Sequence, residues 1–170
     1  KKFSIMVDGT NNILNFTKIN KCKRFLYLSS GSVYGNQFKS NVKIKEINDG
    51  TLNNNSSNFN TNILGQSKKI AEKLVMFYSK KYKFITSIAR CFTFVGPILP
   101  LDIHYAVGNF LKKKSSNKNI ILNSSGNSVR SFMYMTDLTV WLFFILFKGK
   151  NKSIYNVGSD QYPAWGPSSN

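Results

Sequence analysis

An apolar run, Arg24-Phe25-Leu26-Tyr27-Leu28, that stops abruptly at Ser29-Ser30-Gly31 constrains this chain more than any other segment. Its length fits a buried strand from about Lys23 to Leu28, and the small residues after it fit a turn at the strand's carboxyl end. A second run, Phe84 to Cys91, has the same character. Between them a helical pattern extends from about Leu64 to Lys81, with Ile70, Leu74 and Phe77 spaced along one apolar face. Strands alternating with helices predict an α/β fold built on a parallel sheet. In open sheets of that kind ligands bind outside the carboxyl ends of the strands, which directs attention to the Ser-Ser turn.

The flanking segments fit the same alternation. A helix is expected from about Gly9 to Asn20, before the first strand. A polar stretch from about Gln37 to Asn62, containing Asn53-Asn54-Asn55-Ser56-Ser57-Asn58, reads as a low-complexity loop. Leu138 to Phe147 is strongly apolar but covers only about half of what a bilayer span requires, so it reads as a buried helix and no membrane partner is expected. No internal repeat is present. With 42% apolar and 14% aromatic residues, the chain can supply one core.

Several short motifs occur in a set order. Leu28-Ser29-Ser30-Gly31-Ser32-Val33-Tyr34-Gly35 is followed by Leu64-Gly65-Gln66-Ser67-Lys68-Lys69-Ile70-Ala71-Glu72 and then by Ile88-Ala89-Arg90-Cys91-Phe92-Thr93-Phe94-Val95-Gly96-Pro97. Gly108-Asn109-Phe110, a block from Gly126 to Leu138 containing Arg130-Ser131-Phe132-Met133-Tyr134, and Tyr155-Asn156-Val157-Gly158-Ser159 complete the set. Across roughly residues 5 to 160 the series resembles the extended short-chain dehydrogenases, specifically the NAD-dependent epimerase/dehydratase family that acts on nucleoside-diphosphate sugars. Each match alone is weak, and their common order makes the signal specific.

The resemblance implies a partial Rossmann-like doubly wound parallel sheet, its N-terminal strands missing, with part of a smaller substrate-binding domain. Residues 1–97 would be the C-terminal half of the NAD-binding domain, and 98–170 a partial substrate-binding region interleaved with the last sheet elements. It also implies roles for residues. Ser30 would hydrogen-bond the reacting sugar oxygen, and Lys68 would lower the pKa of a phenolate base and reach the cofactor ribose. That base should be a Tyr four residues before Lys68, but Leu64 stands there, without a proton to give or accept. Ser29, Lys68 and Phe92 would contact NAD, while Ser32, Thr93, Asn109 and Arg130 would contact substrate, Arg130 through a forked clamp on phosphate. The family's 4,6-dehydratases carry Asp and Glu after the position of Ser30. Gly31 and Ser32 occupy those places, which favours an epimerase-like or reductase-like member.

The chain contains no G-x-G-x-x-G or G-x-x-G-x-x-G turn to cradle a dinucleotide pyrophosphate. The expectation is therefore a piece of a chain about twice as long, with catalysis doubtful on two grounds, Leu64 and the missing loop. Whether the chain is an enzyme stays open. The alternative is a catalytically dead homologue that retains sugar-nucleotide binding or only a packing surface. If the strand beside Arg24 to Leu28 is absent, that strand exposes an unpaired apolar edge and the isolated chain should be poorly soluble.

The formal charge of +17 raises a third reading, a basic nucleic-acid-binding module. It is the weakest of the three. Only Arg24, Arg90 and Arg130 among the 24 basic residues are arginines, and the lysines accompany 21 asparagines, as AT-rich coding would produce. Base readout and phosphate clamps favour Arg. A basic surface would still steer an anionic sugar nucleotide towards the protein.

Cys22 and Cys91 make no metal spacing and no disulfide framework, so no metal is expected and the compartment reads as reducing and cytoplasmic. His104, the only histidine, lacks companions for a metal or a triad. Tyr34, also near the site in the family, is expected to pack rather than replace the base. Each residue also has a duller explanation: Ser30 as a turn residue, Lys68 as a solvated helix lysine beside Lys69, Arg130 as half of a surface ion pair. Many members of the family pair through two helices, one corresponding to Leu64 to Lys81, and a homodimer is compatible with this.

Overall fold

The computed structural model describes residues 2–35, 44–50, 59–97, 99, 106–120 and 132–159. It is an α/β structure in two compact units. The first comprises Lys1–Phe92 and Thr139–Val157, the second Thr93–Leu138 and Gly158–Asn170.

The first unit is a three-stranded parallel sheet. Helix α1 (Lys2–Ile19) leads into β1 (Arg24–Ser30), and a 3-10 turn (Gly31–Tyr34) follows directly. Helix α2 (Phe59–Tyr82) returns the chain to β2 (Ile85–Cys91). The unit also takes in most of α4 (Met135–Lys148) and β5 (Ser153–Val157), giving the strand order β1-β2-β5. Arg24 pairs with Ile85 and Ser30 with Cys91, so β1 and β2 end level; β5 ends with them at Val157 opposite Cys91. Side chains alternate across a strand. Phe25 and Tyr27 accordingly join Leu14 of α1, Ala71 and Val75 of α2 and Ile88 of β2 in the core cluster. On the other face, Arg24 Nη1 donates to the carbonyls of Leu146 and Gly149 at the end of α4, and Leu26 lines a groove with Leu142, Phe143 and Leu146. Helices thus cover both faces of the sheet, the doubly wound arrangement.

The central strand, β2, is buried from Thr86 to Cys91, yet carries Thr86, Ser87 and Arg90. Burying polar groups is tolerable when they are bonded. Thr86 Oγ1 donates to Phe25 O, Ser87 Oγ donates to Lys150 O, and Arg90 pairs with Glu72.

In the second unit, β3 (Phe94–Val95) pairs in parallel with β4 (Met133–Tyr134), and α3 (Ala106–Ser115) carries Lys112, Lys113 and Lys114 in its last turn. A Cβ on Gly96 would lie 2.6 Å from Met135 Cβ, so this crossing requires glycine.

Several boundaries differ from those the sequence suggests. Helix α1 begins at Lys2, well before Gly9, and Thr10 Oγ1 donates to Met6 O within the continuing helix. Ser29 and Ser30 belong to β1 rather than to the turn. Helix α2 starts at Phe59, inside the expected loop; much of that loop, including 51–58, lies outside the described residues. Its buried face is not Ile70 and Phe77, which are 40% and 58% exposed, but Ser67, Ala71, Val75 and Ser79. Leu74, the third residue of the expected face, does pack partly buried against the core, while Ser67 and Ala71 let α2 lie close to the sheet and to α1. Nor is α4 the buried helix its composition suggests. It buries Leu138 and Ile145, and leaves Val140, Trp141, Phe143, Phe144 and Phe147 exposed. No helix among the described residues is long and apolar enough to cross a membrane.

Candidate active site

The level carboxyl ends of β1, β2 and β5 concentrate chemistry in the first unit. Ser30 is extended (φ −145°, ψ 150°) and caps the 3-10 turn, its Oγ accepting from Ser32 N at 3.2 Å. Ser29 faces the opposite side and gives its hydroxyl proton to Glu72 Oε1 at 2.5 Å. Lys68 reaches over the Tyr27 ring, with Nζ 5.1 Å from the centroid, and donates to Leu28 O at 2.8 Å. Burial lowers its pKa, opposed by the nearby Cys91 and Glu72. Leu64, 36% exposed, lies one turn before Lys68 on α2. Burial raises the Cys91 thiol, against the opposing effect of Lys68.

Phe92 closes this end of the sheet. Its backbone N–H donates to Val157 O at 2.8 Å and its ring stacks against Tyr34 at a centroid distance of 6.2 Å. A Cβ placed on Gly31 would meet the same ring at 2.9 Å. Gly31 is therefore the residue that lets Phe92 lie over the turn. Ser32 Oγ is buried with no hydrogen-bond partner among the described residues. Buried hydroxyls are nearly always bonded, and an orphan is a site where a ligand atom or a water fits.

Thr93, Asn109 and Arg130 fall in the second unit. Thr93 O accepts from Met133 N at 3.0 Å, tying β3 to β4. Asn109 is exposed on α3. Arg130 and His104 lie outside the described residues.

The most heavily bonded group was not singled out by the sequence. Glu72 and Arg90, 5% and 4% exposed, form a forked pair: Nε to Oε1 at 3.0 Å and Nη2 to Oε2 at 2.8 Å. Arg90 Nη1 donates to Tyr34 Oη at 2.9 Å and to Glu46 O at 3.1 Å, and Tyr34 Oη donates to Asn156 Oδ1 at 2.7 Å. Burial alone would lower the Arg90 pKa, but the bonds to Glu72 and Tyr34 reverse this and raise it. Asn156 donates onward to Glu46 Oε1 and Ile44 O. One network thus joins α2, all three strand ends, the turn and the segment around Glu46. Tyr34, its hydroxyl occupied on both sides, packs as expected. The signal for the pair was a Glu and an Arg each embedded among residues that must be buried, four residues after Lys68 and two before Phe92.

Comparison with known proteins agrees with this architecture. The family model for the NAD dependent epimerase/dehydratase family matches residues 2–158. A dTDP-D-glucose 4,6-dehydratase of Dictyostelium discoideum is 30% identical over 89% of this chain and 35% of its own length. The corresponding Homo sapiens protein is 28% identical over 92% of the chain and 41% of its own length. Among solved structures, dTDP-glucose 4,6-dehydratase from Bacillus anthracis, in complex with NAD, superposes with a TM-score of 0.79 at 22% identity, covering 95% of this chain and 48% of that one. UDP-N-acetylglucosamine 4-epimerase from Methanobrevibacter ruminantium gives 0.81 at 17% identity over 94% of this chain and 49% of that one. The chain spans less than half the length of these curated relatives. A family match running from the first turn of α1 to the end of β5 identifies the chain as a member of the NAD dependent epimerase/dehydratase family.

Proposed function

We propose that this chain carries the sugar-facing and nicotinamide-facing part of a nucleotide-sugar epimerase/dehydratase site, one that binds a nucleoside-diphosphate sugar but has lost the proton transfer that starts catalysis. The observation that carries the reading is Lys68, whose ammonium is held by Leu28 O near the carboxyl end of β1 while Leu64 occupies the turn before it. With Leu64 in that place the turn before Lys68 supplies no phenol, Tyr27 meets the ammonium only with its ring face, and the partly buried Lys68 serves as a fixed positive charge rather than as the partner of a base.

The residues present fit the nicotinamide end of NAD. Lys68 and Phe92 would hold the cofactor, and the buried Ser32 hydroxyl, without a partner among the described residues, marks a place for a polar atom of the substrate. Ser29 would act only indirectly, since its hydroxyl is given to Glu72. NAD, when bound, supplies the hydride acceptor for oxidation of a sugar carbinol. Ser30 would orient the sugar hydroxyl, and Ser32, Thr93, Asn109 and Arg130 would hold the remainder of the substrate, with Arg130 on its phosphates.

The relatives named as 4,6-dehydratases raise the question of elimination chemistry. The Phe92 ring leaves no room for a side chain at position 31, and Ser32 carries no carboxylate. Both features support an epimerase-like or reductase-like ancestry. The exposed Ile70 and Phe77 on α2 support a homodimer through that helix, and two unpaired cysteines fit a cytoplasmic location.

Calorimetric titration of the chain and of Arg130→Ala with UDP-glucose and dTDP-glucose tests the reading. Saturable binding of at least one sugar nucleotide, weakened about tenfold or more in the variant, is expected for loss of a charge-assisted clamp. Salt-sensitive binding of DNA without binding of either sugar nucleotide would sink it.

A further inference from the structure

Lysines gather at the amino ends of the three strands of the first unit. The turn from α1 into β1 carries Lys21 and Lys23, α2 ends on Lys80 and Lys81 and leads through Lys83 into β2, and Lys152 precedes β5. Lys21 (φ 50°), Lys83 (φ 58°) and Lys152 (φ 59°) hold left-handed backbone, where glycine is the easier fit, so the turns themselves do not call for lysine. The described acidic residues lie elsewhere. Glu72 pairs with Arg90, Asp49 with Lys69, and Glu46 accepts from Asn156 N. Asp137 stands in the first turn of α4, and Asp8 lies about three turns before the end of α1.

Part of this basic end is concave. A cleft of about 280 Å³ between the ends of α1 and α2 is bordered by Lys18, Lys21, Lys23 and Lys83, with Cys22 and Tyr82 also in its lining and no carboxylate. Lys18 Nζ stands 4.9 Å from the centroid of the Tyr82 ring, which orders that ammonium. The carbonyls at the ends of helices ordinarily repel anions. Here Thr17 O and Lys18 O accept from Cys22 N and Lys21 N, and Ser79 O accepts from Lys83 N, so the turns take up these acceptors.

We infer that this cleft is a binding site for an oligophosphate, a compact chain of phosphoryl groups that is either free or carried by a nucleoside. Four ammonium groups around one concavity, without a carboxylate to neutralise them, match an anion that concentrates several charges in a small volume. Lysine serves phosphoryl oxygens as a point charge and needs no forked geometry. The size agrees, lying just below the range of about 300–1,000 Å³ for drug-sized ligands. A nucleic-acid strand fits less well, because its phosphates are spread along a groove and no arginine lines the cleft. The inference is independent of the function proposed above, whose residues stand at the carboxyl ends of the strands.

The test titrates the full chain with sodium tripolyphosphate, magnesium-free ATP and inorganic phosphate at about 0.15 M salt, where screening limits long-range attraction to about 8 Å. One saturable tripolyphosphate site per chain is expected. It should slow iodoacetamide alkylation of Cys22 and acylation of Lys18, Lys21, Lys23 and Lys83 several-fold, and leave Lys68, Lys113 and Lys114 unchanged. ATP binding as tightly as tripolyphosphate would identify the phosphate chain as the recognised part, and tighter binding would add the nucleoside; both support the site. The Lys21→Gly/Lys83→Gly variant should weaken binding about tenfold or more without lowering the thermal midpoint, since glycine suits left-handed backbone. Lys23→Gln, which keeps the backbone bond from Ile85 N to residue 23, should weaken it several-fold and decides the matter if the glycine variant unfolds early. Several ions bound per chain with protection spread over all exposed lysines, equal affinity for inorganic phosphate, undiminished affinity in Lys23→Gln, or tighter binding of DNA with the same protection would each overturn the inference.

Discussion

Removing the Arg90 guanidinium would leave the Glu72 carboxylate buried with only Ser29 to bond it, whereas removing both charges together leaves a space that apolar side chains can fill. Arg90→Met should therefore cost about 3–5 kcal/mol in urea unfolding, and the Glu72→Leu/Arg90→Met double variant should recover most of that loss. A double variant as unstable as the single one would show that the cost lies in the other bonds of the network, to Tyr34 and Glu46 O, and not in an unpaired buried charge. The two cysteines differ at the same scale. Cys22 is half-buried, while Cys91 is buried and its thiol is pushed up by desolvation, so the nucleophilic thiolate is scarcer there. Alkylation of the native chain followed by mass spectrometry should label Cys22 well before Cys91, and equal labelling rates would contradict the burial. Position 64 stands out in the sequence because the family resemblance implies a Tyr four residues before Lys68, where Leu64 carries no titratable group. The Glu72–Arg90 pair was not, because its members touch across 18 residues and their meaning depends on where β2 sits against α2.

Elements show the same divide. The order of helices and strands and the parallel sheet follow from apolar runs of suitable length separated by a helical period. The faces do not. On α2 the periodic large residues Ile70 and Phe77 point outward, and the close contact is made by Ser67, Ala71 and Val75, whose small volumes carry little hydrophobic signal. The 3-10 turn depends on an equally quiet feature, Gly31 beneath Phe92. Gly31→Ala should destabilise the chain by about 1–3 kcal/mol, because the new Cβ must displace the ring, and Phe92→Ala in the same chain should relieve the clash. A strictly additive double variant, measured by thermal unfolding, would show that the two residues do not compete for one space.

For the whole molecule, the basic composition proved less informative than the ordered motifs, since most lysines lie on solvated surfaces and the sheet is organised by a few apolar and small residues. The exposed side of α4 predicts that the chain associates on heating; Phe144→Glu should reduce light scattering while changing stability by no more than about 0.5 kcal/mol. The same description places two very different surfaces at opposite ends of the sheet: the carboxyl ends with Ser30, Ser32 and Lys68, and a cleft lined by Lys18, Lys21, Lys23 and Lys83 at the amino ends. An anionic sugar nucleotide could be held by specific groups at the first or merely attracted to the lysines of the second. The most direct measurement is a map of amide chemical-shift changes in the labelled chain titrated with UDP-glucose and with dTDP-glucose. The account predicts saturable shifts concentrated at Ser29 to Ser32, Lys68 and Phe92; shifts confined to Lys18, Lys21 and Lys83, or no shifts with either sugar nucleotide, would contradict it.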